Sequence, residues 1–424
     1  MLTKEQNDRM SRIGPGTPAG ELMRRYWHPI AASSQLSGFG TKPIRVLGED
    51  LVLYRDRSGT LGLIGNRCPH RRAGMVFGIP EEEGLRCAYH GWRFDAAGAC
   101  LEQPYEATED PGSTFKDRIK IQAYPVQELG GMIFAYLGPQ PAPLLPRWDL
   151  FVMDCPKEIG WAVIPCNWLQ ISENSLDPVH VEWLHQYFCN YAMERLGRPE
   201  DVREPSHHRF VHFDEFEHGI VKRRLCDDDT EDVQEWAVGH PHIFPNILKS
   251  GSTRHPVFQI RVPLDDTHTT YFWYSCHPPQ PGGLALPDLD EVPFYEVPVA
   301  GLDAHGNLQW DLLDNNSGQD MVMWYTQGGI TDRDEEHLGL SDKGVILFRK
   351  QLEENLRKVE RGEDPMNTFR DPATNQRIEL AVEENKLGNK FNMEPGKRRG
   401  GNASKYSPLM KAAEELLAQA GQKS

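Results

Sequence analysis

The sequence has 424 residues, a hydrophobic content of 39% and a formal net charge of −16. This length suffices for two or three domains, and the spread of acidic residues along the chain argues against a nucleic-acid-binding protein, which needs a basic face. No stretch approaches the roughly eighteen apolar residues of a membrane span, and the polar start MLTKEQNDRM does not resemble a signal peptide. We therefore expect a cytoplasmic protein that binds neither membranes nor nucleic acid.

Short β-like runs dominate the first third of the chain. Residues 1–40 are predicted to form a segment that packs on the C-terminal domain of residues 151–424, with Pro18 starting a helix. Residues 41–140 contain runs such as IRVLGEDLVLYRD and GGMIFAYLG, separated by Gly and Asp, which predict an all-β domain. The proline-rich stretch around residues 141–150, PQPAPLLPRWD, predicts a stiff linker.

Residues 151–424 are predicted to form a second domain of mixed structure. Helical character begins near Trp168, and the runs QEWAVGHP, HIFPNIL, PVFQIRVPL and TTYFWYSC fit antiparallel strands. The runs KGVILFRKQLEENLRKVERG and SPLMKAAEELLAQAG predict helices, and GKRRG at residues 396–400 predicts a solvated loop. The predicted fold class is therefore α+β: an all-β domain, then an antiparallel sheet flanked by helices in a helix-grip arrangement.

Two of the eight cysteines belong to a pattern that is typical of a metal centre. Cys68-x-His70 is followed, after sixteen residues, by Cys87-x-x-His90. Two thiolates and two imidazoles could bind a structural zinc ion, or a Rieske [2Fe–2S] cluster with both Cys on one iron and both His on the other. The flanking Pro and Gly residues, which suit loops wrapped around a cluster, favour iron. The remaining six cysteines show no metal-like spacing and are predicted to be reduced and mostly buried: Cys100, Cys155, Cys166, Cys189, Cys226 and Cys276.

With this motif the chain resembles the oxygenase components of the Rieske non-heme iron oxygenases. The stretches RIGPGTPAGELMRRYWHP and GQDMVMWYTQGGITDRDEEHLG are similar to the phthalate dioxygenase branch and its aryl O-demethylase relatives. The resemblance implies two cofactors, a Rieske [2Fe–2S] cluster and a mononuclear non-heme Fe(II).

The stretch ENSLDPVHVEWLH contains two candidate iron ligands. Taken alone, Asp177 followed by Pro178 is a good helix start, and His180 and His185 could be incidental histidines. In the resembling family, however, D-x-x-H-x4-H carries the two histidines of a 2-His-1-carboxylate site, a ligand set that leaves positions open for O2. Residues five apart lie about 140° apart around an ideal helix, so we predict a widened, π-type helix between residues 180 and 185.

The third ligand is predicted to be Asp320, in NSGQDMVMW, which matches the family position and has apolar neighbours. The alternatives nearby are Asp314, Asp332 and Asp334, and the hydrophilic stretch TDRDEEH around the last two is typical of surface or interface salt bridges.

The resemblance also implies roles for two neighbours of the ligands. Asp177 accepts a hydrogen bond from His180 and reaches His90 of an adjacent subunit, which predicts a head-to-tail homotrimer. Asn174 is predicted to shape the surroundings of the iron.

The resemblance implies a terminal oxygenase that receives electrons from an NAD(P)H-dependent reductase, with or without a ferredoxin, and has no small β-subunit. The predicted reaction is O-demethylation of a methoxylated aromatic acid by O2; the alternatives are cis-dihydroxylation of a phthalate-like acid and a non-catalytic Rieske electron carrier. Four basic residues are candidates for binding the substrate carboxylate: Lys249, Arg254, His255 and Arg261.

Overall fold

The computed structural model describes residues 2–227, 229–279, 289–384, 404–409, 411–412 and 415. Its α-helices, α1 to α10 in chain order, are Lys4–Ser11, Pro18–Met23, Pro104–Glu109, Asp149–Val152, Trp168–Asn174, His180–Glu182, Cys189–Arg195, Gln234–Ala237, Asn316–Thr326 and Lys343–Glu360. Its strands, β1 to β19, are Trp27–Ala32, Gly40–Val46, Glu49–Arg55, Leu61–Gly65, Ile79–Pro80, Leu85–Arg86, Arg93–Phe94, Cys100–Glu102, Ala123–Tyr124, Val126–Leu129, Met132–Tyr136, Lys157–Ile164, His208–Phe216, Gly219–Cys226, His240–Ile243, Ile247–Ser252, His255–Asp265, His268–Cys276 and Phe294–Glu296. The predicted loop at 396–400 and most of the predicted helix over 407–421 lie outside the described residues.

Three small sheets form the N-terminal part of the molecule. Their strand orders are β2-β3-β4-β9, β5-β6-β7-β8 and β1-β11-β10, so the predicted all-β character is confirmed, with the short helix α3 between β8 and β9. Strand β1 pairs with β11, whereas α1 contacts α10 through ion pairs of Arg9 with Glu353 and Glu360. The N-terminal segment therefore touches both parts of the molecule, and the domain limits drawn at residues 40, 140 and 150 remain a prediction.

An eight-stranded sheet, in the order β13-β14-β15-β16-β17-β18-β12-β19, forms the second part. All its neighbours are antiparallel except β12 and β19, which run parallel. The prediction that QEWAVGHP is a strand is wrong at its start, because Gln234–Ala237 form α8 and the strand begins at His240. Arg223 explains the difference, since its Nη1 donates to the carbonyls of Trp236 and Ala237 at the end of this short helix.

Helix α5 begins near the predicted residue and is anchored at both ends. The Asn167 side chain caps it by accepting from the N–H of Leu169. At its other end the buried carboxylate of Glu173 is bonded by two buried guanidinium groups, those of Arg333 and Arg349. The buried ion pairs fix the residues just before the segment 174–180 that leads into the site.

Within the described part of the chain, no helix is long and apolar enough to cross a bilayer. None of the eight cysteines, all of which lie in described residues, forms a disulfide.

Candidate functional site

The two Cys/His motifs form two loops with the same backbone hydrogen bonds. In each loop the cysteine N–H donates to the carbonyl five residues later, at 2.9 Å from Cys68 and 2.8 Å from Cys87. The cysteine carbonyl accepts from the N–H four residues later, at 2.8 and 3.0 Å respectively. That fourth residue has a positive φ in both loops, +64° at Arg72 and +75° at Gly91. The repeated geometry turns each loop tightly around its cysteine.

The side chains of these loops converge in the manner that a metal cluster requires. Cys68 and Cys87 are buried in one apolar cluster, and burial raises the pKa of the Cys68 thiol to about 11. The rings of His70 and His90 have centroids 4.5 Å apart, and His70 stacks on Trp92. The buried Nδ1 of His70 has no hydrogen bond within the described chain. Two buried thiols, which lose their protons when they bind iron, and an imidazole nitrogen without a hydrogen bond fit the ligands of an iron–sulfur cluster.

Asp177 performs two tasks that the sequence presented as alternatives. Its Oδ1 accepts from the N–H groups of Val179 and His180, at 3.0 and 3.4 Å, as a helix cap does. Its Oδ2 lies 3.5 Å from the Nδ1 of His180. Burial alone would raise the pKa of Asp177, but the hydrogen bond and charge of His180 hold that pKa below its ordinary value. The carboxylate therefore both starts the helix and faces the imidazole.

The helix that follows is wider than an α-helix, as the five-residue spacing predicts. After the single α-turn α6, residues Trp183–Phe188 form a π-helix that continues into α7. The rings of His180 and His185 have centroids 5.2 Å apart, so the widened turn brings both side chains to the same side.

Helix α9 brings Asp320 to these two histidines. Its Oδ1 lies 3.2 Å from the Nε2 of His185 and 3.7 Å from the Nε2 of His180. The start of α9 is capped by the side chain of Asn315, which accepts from the N–H of Gly318. A Cβ at Gly318 would collide with the Leu312 carbonyl oxygen, so only glycine lets the preceding loop pass this close to the helix. The other nearby carboxylates lie elsewhere: Asp314 pairs with Arg198, Asp334 pairs with Lys4, and Asp332 is exposed.

Gln319 fixes the orientation of the His185 ring. The Nε2 of Gln319 donates to the Leu313 carbonyl at 2.8 Å, so its Oε1 is the atom that accepts from the Nδ1 of His185 at 2.9 Å. The Nε2 of His185, on the other side of the ring, faces the Oδ1 of Asp320. A metal ion placed between these two atoms would accept a lone pair from each of them.

Asp320 itself has the properties of a metal ligand. Its Oδ1 is buried and has no hydrogen bond among the described residues. Burial would raise the pKa of Asp320, but the two neighbouring imidazoles, those of His185 and His180, hold it below its ordinary value. An ionised, buried carboxylate oxygen with no hydrogen bond, facing two imidazoles, fits a bound divalent metal ion.

In a second group of possible ligands, both oxygens of the carboxylate already have partners. Glu158, His255 and His277 place three ligand atoms within 4.8 Å of one another. In that group the Oε2 of Glu158 accepts from the Ser407 hydroxyl at 2.6 Å, and its Oε1 lies 3.2 Å from the Nε2 of His277. The group containing Asp320 is therefore the better metal site.

The four basic residues predicted to bind the substrate do not converge. Lys249 is buried in an ion pair with Asp149, which compensates its charge, and Arg254 lies exposed in a hairpin turn. The ring of His255 stacks on that of His277 in the second group. The prediction that Lys249 and Arg254 bind the substrate is therefore corrected. The charge of Lys249 is already paired with Asp149, and Arg254 lies in solvent. Arg261 is buried on β17.

Sequence reasoning missed two polar residues, Gln319 and Lys222. Gln319 directly precedes the predicted ligand, yet nothing in QDMVMW reveals that its amide points at His185. Lys222 lies in the alternating strand GIVKRRLC, where a lysine is ordinarily on the solvent side, and here it is buried. Asn174, by contrast, contributes its backbone carbonyl to the N–H of Asp177, and its side chain has no hydrogen bond within the described residues.

Replacing Gln319 by Leu should weaken iron binding at the histidine pair about 10- to 100-fold, because the imidazole loses the partner that fixes its tautomer. The measurement is anaerobic titration of the iron-depleted enzyme with Fe(II). Gln327→Leu, at the exposed end of the same helix, is the matched control and should bind iron normally. Equal affinities in the two variants would contradict this role.

Comparison with known families agrees with both centres. The model of the Rieske [2Fe-2S] domain matches residues 26–125, and the model described as LigXa C-terminal domain like matches residues 313–381. The first range contains the four Cys and His residues of the two loops, and the second contains Asp320.

Curated relatives cover nearly the whole chain. The 5,5'-dehydrodivanillate O-demethylase oxygenase subunit of Sphingobium sp. is 45% identical over 90% of this chain and 86% of that protein. The phthalate 4,5-dioxygenase oxygenase subunit of Pseudomonas putida is 31% identical over 87% of this chain and 89% of that protein.

Solved structures show the same fold. NdmA of Pseudomonas putida CBB5, solved with caffeine, has a TM-score of 0.58 at 20% identity and covers 82% of this chain and 94% of its own. The terminal oxygenase of carbazole 1,9a-dioxygenase from Novosphingobium sp. has a TM-score of 0.56 at 18% identity, covering 78% of this chain and 94% of its own. The chain therefore belongs to the Rieske non-heme iron oxygenases, as an oxygenase component with a Rieske [2Fe–2S] cluster and a mononuclear non-heme iron.

Proposed function

We propose that this oxygenase O-demethylates a methoxylated aromatic carboxylate of the dehydrodivanillate type, giving a phenol and formaldehyde. The observation that carries the proposal is the 45% identity, over 90% of the chain, to an oxygenase subunit named for that reaction. The overall reaction balances when the aryl methyl ether, O2, two electrons and two protons yield the phenol, formaldehyde and water. The electrons come from NAD(P)H through a separate reductase, with or without a ferredoxin.

The residues of the site have distinct tasks in this proposal. Cys68, His70, Cys87 and His90 hold the cluster, and His180, His185 and Asp320 hold the iron. When bound, these groups supply one-electron transfer and activation of O2. Gln319 keeps a proton on the Nδ1 of His185, so its Nε2 remains a lone-pair donor. Asp177, whose Oδ2 lies 3.5 Å from the Nδ1 of His180, orients that imidazole by its charge.

We also propose that the chain forms a head-to-tail homotrimer in which the cluster of one subunit faces the iron of the next. Two exposed aromatic surfaces support this arrangement. The first, called here the cluster face, contains Phe77, Tyr89 and His90; the second, the iron face, contains Trp183 and Tyr187 on the π-helix. Exposed apolar residues grouped beside each centre are typical of protein interfaces.

Asp177 is the proposed link across this interface. Its side chain is 30% exposed although it faces His180, so it remains accessible from outside the subunit. In the proposed trimer it accepts a hydrogen bond from His90 of the adjacent subunit and provides a short route for the electron.

Product analysis tests the reaction. Purified enzyme, a compatible reductase, NADH and O2 are supplied with 5,5'-dehydrodivanillate, with other methoxylated aromatic acids and with phthalate. We expect formaldehyde in amounts equal to the phenol formed from a methoxylated acid. Consumption of O2 with a cis-dihydrodiol and no formaldehyde would replace the proposal with ring dihydroxylation.

A further inference from the structure

One face of the eight-stranded sheet is lined by polar side chains. In the antiparallel ladder Ile220 pairs with His242 and Lys222 pairs with His240, so these side chains share a face. The register continues from His242 through Leu248 to Gln259 on β17. Arg261, two residues beyond Gln259, therefore also points to this face.

This face of the sheet is turned towards the iron ligands. The ring of Tyr271, which pairs with Arg261 in the ladder, lies 5.0 Å from the ring of Trp324 on α9, the helix that carries Asp320. The charge of Asp320 acts on both Lys222 and Arg261, and the charge of Asp177 also acts on Lys222. Lys222 and Arg261 thus share the low-dielectric space around the triad.

Lys222 and Arg261 differ from every other buried cation of the described chain. The seven buried Lys and Arg residues are Arg24, Lys222, Arg224, Lys249, Arg261, Arg333 and Arg349. Five of them form ion pairs with Asp or Glu, the partners being Glu49, Glu235, Asp149, Glu173 and Glu336. Lys222 and Arg261 form none, although a buried charge ordinarily requires a counter-charge.

Their hydrogen bonds do not make up for this lack. Arg261 donates to the carbonyl and side-chain oxygens of Gln259 and to the hydroxyl of Tyr271, all neutral acceptors, and its Nε has no partner among the described residues. Lys222 is only 9% exposed, and its side chain has no hydrogen-bond or ion-pair partner among the described residues. Burial, with the charges of Arg224 and Arg261, lowers the pKa of Lys222 to about 7.

A metal ion on the triad increases the need for an anion. A divalent cation offsets the negative charges of Asp320 and Asp177, so these two carboxylates no longer compensate Lys222 and Arg261 when the site is loaded. An anionic ligand supplies the counter-charge that Lys222 and Arg261 then lack, and it favours the protonated form of Lys222.

We infer that Lys222, supported by Arg261, binds a carboxylate of the substrate on the sheet face that is turned towards the iron ligands. The inference rests on the proposed function, which makes the substrate an aromatic acid. Lys222 is then the residue that selects the acid over a neutral analogue. With one end of the substrate held at Lys222, the sheet sets how far the methoxy group reaches towards the triad. Lys222 is thus a specificity-determining residue.

The test measures binding separately from turnover. The iron-loaded enzyme with an oxidised cluster is titrated anaerobically, by calorimetry, with 5,5'-dehydrodivanillate and with its neutral bis-carboxamide. Wild type should bind the acid at least about 10-fold more tightly, as expected for a hydrogen bond to a charged group. Lys222→Met should weaken acid binding about 10- to 100-fold and leave carboxamide binding within about 3-fold. Lys222→Arg should restore most of the preference, and Arg254→Met, in the exposed turn, should match wild type.

The outcomes separate this inference from the proposed reaction. Equal binding of acid and carboxamide by wild type would overturn it, and this comparison needs no variant. It would also be overturned if Lys222→Met weakened both ligands equally, because that indicates a general packing role. Tight, Lys222-dependent binding of the acid without formaldehyde in turnover assays would instead refute the proposed demethylation and leave the carboxylate site standing.

Discussion

Asp320→Ala should abolish turnover and leave the Rieske cluster intact. The substitution removes the one carboxylate that faces both His180 and His185. Even the loss of a residue that only supports a metal ligand lowers metal affinity or activity about 10- to 100-fold, so the loss of the ligand itself should cost at least ~100-fold in turnover. The measurements are product formation, iron content, and the visible absorption and EPR spectra of the cluster.

The control for this variant is Asp332→Ala, since Asp332 is a carboxylate of the same region that is exposed. It should keep both the iron and the activity. If Asp320→Ala retained the mononuclear iron and normal turnover, the triad would be assigned wrongly. If it lost the cluster spectrum as well, the damage would extend beyond the iron site and the variant would say nothing specific about ligation.

Features of the sequence that follow from metal chemistry were predictable. The spacing of the four Cys and His residues predicted a pair of short loops, because few ligand sets satisfy both the residue types and the distances. The five-residue separation of His180 and His185 predicted a π-type helix, because an ideal helix would point them apart. Family resemblance and apolar neighbours favour Asp320 among four carboxylates, and the structure brings it to the two histidines.

Features that depend on the tertiary partner of a side chain were not predictable. Lys222 and Lys249 both look like solvent-facing lysines of a strand, and the sequence does not show that Asp149 compensates only the second. The pattern of QEWAVGHP predicts a strand where α8 forms. The carbonyls at the end of this helix are bonded by Arg223, which lies on another element and is not visible in the local pattern. Gln319 gave no signal, since its role depends on a bond to the Leu313 carbonyl that fixes its orientation.

Mixed rings of two variants provide the strongest test of the proposed trimer and of electron transfer between its subunits. One chain carries Cys87→Ser and lacks the cluster, and the other carries Asp320→Ala and lacks the iron. Each homotrimer should be inactive, since neither has both centres. In a head-to-tail ring of the two chains, one of the three interfaces places an intact cluster against an intact iron site, so mixed rings should recover about one third of wild-type turnover. Tandem purification through two affinity tags isolates the mixed rings.

The control combines two chains that are both defective at the iron, Asp320→Ala and His185→Ala. Their mixed rings should stay inactive, because no chain offers an intact iron site, and this excludes contaminating wild type. Inactive mixed rings from the first pair, at the size of a trimer and with cluster and iron each present, would mean that the electron travels within one chain. In that case Asp177 would act only on His180, and the exposed cluster face would need another partner.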